Sequence, residues 1–380
     1  MGHENGERLR VLHVASGDVW GGQEVQVLHL LPALQRDHEV DVRAVLLNQG
    51  KLADALKASG ISVTIFDERR MGFVQLLRSL VELIRSFPIQ VLHTHRYKEN
   101  ALGALAARAM TVPRLVCTVH GRLEWVAGGS YMRWRLSQLV NWAALKYGAS
   151  RVIAVSSDIA SAFSQTAPGR VTVVGNSVDL NDSSHKSDEA TIRRSLGIPA
   201  GHKVVGAVGR LVPIKGMDLF VQCAEELIRA RNDVTCVIAG DGPERLRLEE
   251  RIMRGATRGR IILAGHRDDC RDLMELFDVL MIPSRYEGVP TVLLEGLLLG
   301  KPVVATRVGG IPDVVQDKVH CLLMEPERPE AWLEPILFLL NNPGEGRRLG
   351  QYGQMEIAQN WNVSVQARKV RDLYRQLVCA

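Results

Sequence analysis

Within the stretch 283–315, PSRYEGVPTVLLEGLLLGKPVVATRVGGIPDVV, Glu287 and Glu295 stand at E-x7-E spacing with a helix start between them. Glu287 follows a short apolar run, 279–282, that reads as a parallel strand, and Pro290 sits where proline suits the first turn of a helix. The amides of Gly288, Val289 and Thr291 would be unpaired at such a start. With the positive end of the helix dipole they make a place for an anion, and a phosphate would fit. Glu295 lies among Leu293, Leu294, Leu297, Leu298 and Leu299, where an ionised carboxylate is costly to bury unless it is hydrogen-bonded. By helix rise it stands roughly 6–8 Å beyond the anion-binding end. Two acceptor-only carboxylates thus flank a phosphate-sized gap, and hydroxyls on both sides of a diphosphate, one set from a sugar and one from a ribose, would satisfy them. Singly, Glu287 reads as a solvated loop charge and Glu295 as the partner of a nearby Arg or Lys. Together, with Gly288 and Pro290 between them, they read as a site.

Other residues fall at strand ends. Arg210 and Lys215 lie in GRLVPIKG, between a strand at 203–208 and a helix that begins near Met217. Two fixed cations there could hold an anion, each charge-assisted contact contributing about 1.5–3 kcal/mol; surface charge on a loop is the plainer reading of a solitary lysine. His120 follows a strand at 114–119, in T-V-H-G, where a lone histidine is more often a structural hydrogen-bonder. Gly21 and Gly22 lie in SGDVWGGQE between a strand at 11–15 and a helical pattern from 25, the usual ligand end of a parallel sheet. The pair could equally be a tight turn that uses glycine for its backbone freedom. His93 and His95 form an H-x-H at another strand end, but no Asp, Glu or Cys stands nearby in sequence as a third ligand, so no metal is expected. Gly240 and Gly242 have Arg245 where a third glycine would complete a dinucleotide fingerprint, and the turn at 21–22 lacks that fingerprint too.

The elements that must position these residues alternate. Strands at 11–15, 40–47, 62–66, 91–93, 114–119, 151–157 and 171–174 are separated by helical patterns, and the alternation resumes from 203. This predicts α/β architecture with doubly wound parallel sheets. With 380 residues the chain is too long for one ordinary core and fits two domains. The polar run NDSSHKSDEAT, 181–191, reads as the linker, which gives domains at 1–180 and 192–361. The segment 362–378 reads as an amphipathic helix with a basic opposite side.

The E-x7-E spacing, followed by G-K-P-V-V-A-T and G-G-I-P-D, resembles the signature of the retaining GT-B glycosyltransferases of group 1 or family 4, which include relatives of sucrose and glycogen synthase. The resemblance covers both halves, strongest over 203–315, and implies two Rossmann-like doubly wound domains facing a central cleft. It implies a nucleotide-diphosphate sugar as donor, UDP- or GDP-linked, and a glycan or lipid-linked acceptor taken by the first domain. Arg210 and Lys215 would grip the diphosphate, Glu287 the sugar hydroxyls and Glu295 the ribose, while the turn with His266 and Arg267 would hold the base chiefly through backbone. His120 would approach the donor sugar and Gly21–Gly22 the diphosphate across the cleft, with the C-terminal helix crossing back to the first domain. Neither cofactor nor metal is implied. One departure is GNSVDL, where Ser177 replaces the glycine of the usual N-G-V-D. The alternatives are a nucleotide-sugar epimerase on the same architecture and a catalytically silent sugar-nucleotide-binding protein; a nicotinamide-dependent dehydrogenase is the least favoured, both candidate glycine loops failing the fingerprint.

Composition bounds the setting. The net charge of +5 and a pI near 8.9 favour anionic ligands or an anionic membrane surface and do not imply nucleic acid. Six scattered cysteines without a C-x-x-C pair fit reduced thiols, and the N-terminal apolar run is too short for a secretion signal. No apolar stretch reaches the length of a membrane span. A cytoplasmic protein is expected. Residues 122–147 mix Arg122, Arg133, Arg135 and Lys146 with Trp125, Tyr131, Trp134 and Trp142. They read either as a roof over the first core or as a peripheral contact with the inner face of the cell membrane.

Overall fold

The structure, a computed structural model, describes residues 8–17, 20–112, 114–121, 131–181, 187–255, 257 and 259–379. The chain divides into two compact units, Met1–Ser177 with Val363–Ala380, and Val178–Asn362.

The first unit is built on a seven-stranded parallel sheet of β1 (Leu9–Ala15), β2 (Val40–Leu46), β3 (Ser62–Ile65), β4 (Val91–Thr94), β5 (Arg114–Val119), β6 (Arg151–Ala154) and β7 (Val171–Val173). They lie in the order β3-β2-β1-β4-β5-β6-β7. The central strands β1, β4, β5 and β6 are buried along most of their length because helices cover both faces, one layer packed around Leu31, Leu34 and Tyr374 and the other around Leu80, Leu102 and Leu145. Tyr374 belongs to the last helix, Val363–Cys379, so the end of the chain completes the first core. Strand order reverses direction between β1 and β4, and at such a point the loops leaving the strands diverge and open a crevice at the carboxyl ends. The register there sets His13 directly beside His93.

The second unit repeats the plan with six parallel strands: β8 (Lys203–Val208), β9 (Val234–Ala239), β10 (Ile261–Gly265), β11 (Val279–Ile282), β12 (Val303–Thr306) and β13 (Leu322–Met324). Their order, β10-β9-β8-β11-β12-β13, puts the reversal between β8 and β11. The loops after those two strands are the ones that carry Arg210, Lys215 and Glu287. Each sheet therefore presents its chemistry-bearing residues at its own switch point.

The division between units falls at Ser177/Val178, ahead of the polar run read from sequence as a linker. Part of that run starts a helix instead: Asp188 caps Glu189–Leu196, its side chain accepting from the Thr191 amide. Polarity here marks a cap, which a reading by composition takes for a loop. Residues 182–186 lie outside the described residues, as do 122–130, including Arg122 and Trp125. Of the basic-aromatic segment, Tyr131–Ala143 is helical and ends in a wide turn over Ala144–Gly148. Among the described residues no helix is long and apolar enough to cross a membrane.

Candidate active site

In the second unit β8 runs through Gly209 and Arg210 into a short turn, Pro213–Lys215, that ends in Gly216. Gly216 has φ of 64°, and a Cβ there would lie 2.0 Å from the Pro283 carbonyl oxygen, so only glycine lets this turn close on the end of β11. The approach delivers Lys215 to Glu287: Lys215 Nζ lies 2.6 Å from Glu287 Oε1. Ser284 Oγ donates to the same oxygen at 2.7 Å, and the Thr306 hydroxyl donates to the Ser284 carbonyl at 2.5 Å. Glu287 is buried, as a carboxylate can be when a cation and a hydroxyl both satisfy it.

Two further contacts lock the loops together; sequence reading singled out neither Arg285 nor Asp218 and quoted Gly309 and Gly310 only within G-G-I-P-D. Arg285 makes a two-bond clamp on Asp218, at 2.7 and 2.9 Å, and reaches the Pro213 carbonyl and Glu327 at 2.8 Å each. Burial raises the Asp218 acid, but hydrogen bonds and charge from Arg285 outweigh it and hold the carboxyl below its usual range. On the other side Gly310 donates its amide to the Gly288 carbonyl at 2.8 Å, and Gly309, at φ 52°, leaves no room for a side chain. A Cβ there would sit 1.7 Å from the Glu287 carbonyl oxygen. The G-G of G-G-I-P-D thus backs the glutamate loop. Its neighbour in the motif, Pro312, falls in the short helix Ile311–Val314.

The helix Thr291–Leu298 begins after Pro290 with no side-chain cap, so its first turn points open amides at the loop that carries Glu287. Val289 is buried and has a partner. Glu295 differs from expectation. It is half-buried and partnered, because its position turns it off the face on which Leu293, Leu294 and Leu297 are enclosed. Its charge reaches Cys270, whose thiol burial and then Glu295 push up to about 11. Arg210 is exposed and its guanidinium makes no hydrogen bond or ion pair with the described residues. After β10, His266 is largely exposed, 3.9 Å from Asp268, while Arg267 is committed to Asp269 through two contacts at 2.7 and 2.5 Å. Arg267 is half-buried and this pairing occupies its side chain.

In the first unit Gly21 precedes the helix Gly22–Arg36 in extended backbone, at the carboxyl edge of the sheet where β5 delivers His120. Arg96, just after β4, ties this turn down: its guanidinium donates to Gln23 at 2.7 Å and pairs with Glu24. Ser177, the departure from the usual turn, is held by Gln26, which accepts from the Ser177 amide at 2.6 Å and donates to its carbonyl at 2.8 Å. Glu99 is fully enclosed; Ser16 donates to one of its oxygens, the other has no partner among the described residues, and burial raises its pKa.

The H-x-H has a third histidine after all. His13, on β1, joins His93 and His95 so that one ring nitrogen from each lies within 4.8 Å of the others. Looking for the third group nearby in sequence missed it, because strand register brings it in from a different strand. All three rings are completely enclosed, and burial lowers their pKa values, that of His13 to about 3. His120 is lowered to about 4 by burial and then by the charge of Arg96.

Comparison with known proteins follows these two switch points. Residues 202–342 match the family described as glycosyl transferases group 1, and residues 20–182 match glycosyltransferase family 4. The UDP-Gal:alpha-D-GlcNAc-diphosphoundecaprenol alpha-1,3-galactosyltransferase of Escherichia coli is 24% identical over 387 residues, 98% of each chain. A D-inositol 3-phosphate glycosyltransferase of Segniliparus rotundus is 30% identical over 278 residues, 69% of this chain and 61% of the relative. Among solved structures, Anabaena HepE in complex with UDP and glucose superposes with a TM-score of 0.84 at 22% identity, covering 97% of this chain and 100% of that one. With family matches on both units and this fold over nearly its whole length, the chain belongs to the group 1 / family 4 glycosyltransferases of GT-B architecture.

Proposed function

We propose that this glycosyltransferase moves a sugar from a UDP- or GDP-linked donor to a lipid-linked or glycan acceptor in cell-surface glycan assembly, retaining anomeric configuration and using no metal ion. The observation that carries the reading is the Lys215–Glu287–Ser284 cluster set against the uncapped start of the helix Thr291–Leu298. As the sugar–oxygen bond to the diphosphate breaks, negative charge grows on the leaving group. Lys215, the unencumbered Arg210 and the open amides of Gly288 and Thr291 stabilise it. Glu287, its orientation fixed by Lys215 and Ser284, accepts hydrogen bonds from the sugar hydroxyls, and Glu295 accepts from the ribose. The turn with Gly265, His266 and Arg267 holds the base through its backbone. Gly21–Gly22 and His120 carry the first unit's share of donor recognition.

The E. coli relative acts on a diphosphoundecaprenol-linked sugar by its name, which favours an acceptor anchored in a membrane. The helix Tyr131–Ala143 supports this: Met132, Leu136, Leu139 and Val140 are exposed along it. Beyond it Lys146 lies over Trp142 and beside Tyr147, 4.6 and 5.3 Å from the ring centroids. An apolar ridge edged by cations suits the interface of an anionic membrane on its cytoplasmic side. The donor reading is tested by calorimetric titration of UDP and GDP, without metal, into the wild type and Lys215→Ala. Metal-independent binding of one nucleotide, lost in the variant, supports it; no binding to either would make a silent protein the better account.

A further inference from the structure

The enclosed histidines of the first unit form one continuous chain of hydrogen bonds. Beginning on β5, Thr118 Oγ1 lies 2.7 Å from His93 Nε2, and His93 Nδ1 lies 2.5 Å from the Tyr374 hydroxyl. That hydroxyl is 3.3 Å from His13 Nε2, His13 Nδ1 is 2.9 Å from His95 Nε2, and His95 Nδ1 is 3.4 Å from His120 Nε2. The chain ends at His120 Nδ1, which is enclosed and has no partner among the described residues. Its two ends, Thr118 and His120, stand two residues apart on one side of β5 and line the same cavity of about 40 Å³, opposite Gln26 and Ser177.

Proton counting restricts this chain severely. A neutral imidazole has one N–H and one bare nitrogen, and a hydroxyl donates once. If Thr118 donates to His93, each link passes the direction on, and all four rings carry hydrogen on Nδ1. If His120 donates to His95, the direction reverses and all four carry it on Nε2. A mixed set that breaks between two rings leaves two donors or two bare acceptors facing each other inside the core, and one that breaks at Tyr374 leaves either its hydroxyl hydrogen or a ring nitrogen without a partner among these groups. The rings are held neutral, since burial lowers the pKa of every one of them.

We propose that Thr118, His93, Tyr374, His13, His95 and His120 form a proton-ordered relay that fixes the tautomer of His120, and with it whether Nδ1 offers a donor or an acceptor to a sugar hydroxyl. His13, His93, His95 and Tyr374 are positioning residues, acting through His120. The functional part rests on the donor-recognition reading of His120 given above; the relay itself does not. A metal held by His13, His93 and His95 would compete for the same nitrogens, but four of the six nitrogens on those rings are committed to hydroxyls or to His120, and the other two face each other at 2.9 Å.

The test is long-range proton–nitrogen correlation on the full chain with ring-labelled histidine at pH 7.5, resonances being assigned by single substitutions. The relay requires His13, His93, His95 and His120 all neutral and all in the same tautomer. A mixed set, or an imidazolium among them, overturns it. Tyr374→Phe cuts the middle link at almost constant volume: His93 should become independent while His13, His95 and His120 still agree, and unchanged spectra would remove Tyr374 from the chain. Should that variant fail to fold, Thr118→Val, at the far end, must leave all four rings in one common tautomer, kept or reversed together; a mixed set in that variant refutes the coupling. Titration with zinc alone should leave the four rings unchanged, and stoichiometric metal-type shifts at His13, His93 and His95 would replace the relay with a metal site. All of this is read without nucleotide, so a protein that binds no donor would sink the proposed activity and leave this result standing.

Discussion

Lowering the pH from 7.5 to 5.5 should weaken the first unit selectively. In the unfolded chain histidine titrates near 6.5, whereas His13 and His120 are held near 3 and 4 in the fold, and His93 and His95 well below the ordinary value. Below pH 6.5 the unfolded chain therefore takes up protons that the folded unit refuses, and acid favours unfolding; the stability is fully present above 6.5 and is lost as pH falls toward the folded values. Each ring that stays neutral contributes a loss of about 1.4 kcal/mol between pH 7.5 and 5.5. The three completely enclosed rings together account for about 4 kcal/mol, and His120, half-buried as a residue, adds at most one further ring. Against a total stability of about 5–15 kcal/mol that is a large fraction. With a urea dependence of about 2 kcal/mol per molar, the first unit's midpoint should fall by about 2 M. The two units can be read separately by a methanethiosulfonate pulse in urea, since Cys117 is buried in the first and Cys236 in the second. A midpoint for Cys117 that moves by less than about 0.5 M would mean that the rings are hydrated or already charged. Equal movement at Cys236 would show the effect is not local to the cluster.

Other outcomes follow from the same geometry. Lys215→Ala should lower turnover on the order of a hundredfold, the size expected when a fixed charge on a leaving group is removed; normal kcat with raised KM would reduce Lys215 to a docking contact. Gly309→Ala forces a left-handed residue, at about 1–2 kcal/mol, and drives a methyl into the Glu287 carbonyl. Thermal unfolding should register the first effect and nucleotide titration the second, and wild-type affinity would refute the account of the loop. Glu99→Gln should stabilise the protein at pH 8 more than at pH 4.5, because the raised pKa makes ionisation costly only above the unfolded value; equal melting shifts at both pH values would show that ionisation is not the cost. Leu136→Glu with Leu139→Glu should weaken sedimentation with anionic phospholipid vesicles at least tenfold, since each leucine lost from an apolar contact is worth about 1.5–3 kcal/mol. Unchanged binding would clear the ridge of any membrane role.

The parallel sheets were legible because each strand is a short apolar run between helical patterns, and the loops of the second unit because Arg210, Lys215 and Glu287 sit at strand ends within compact motifs. Glu295 was read as more enclosed than it is; leucines crowd it in sequence, but the helical angle places it beside their face. The histidine chain escaped for a different reason. His13 and His93 meet only through the register of β1 and β4, and Tyr374 reaches His93 across 281 positions of sequence. No local pattern encodes either contact. The Arg285–Asp218 clamp is similar, each partner being an ordinary loop or helix charge until the turn at Gly216 brings them together.

Of the two units, the first is begun before the second on the ribosome and can be completed only after it. Its sheet is made by Val173, yet the helix that encloses it and supplies Tyr374 emerges only after all of Val178–Asn362 has been synthesised. At ordinary elongation rates that interval is about 10–40 s. During it the second unit, contiguous in sequence, has every segment it needs, while the nascent first sheet shows water the apolar surface destined for Val370, Leu373 and Leu377. Newly made chains should accordingly depend on chaperones through a window set by the length of the insertion, and a ribosome stalled before Val363 should hold a protease-resistant second unit beside a protease-sensitive first one.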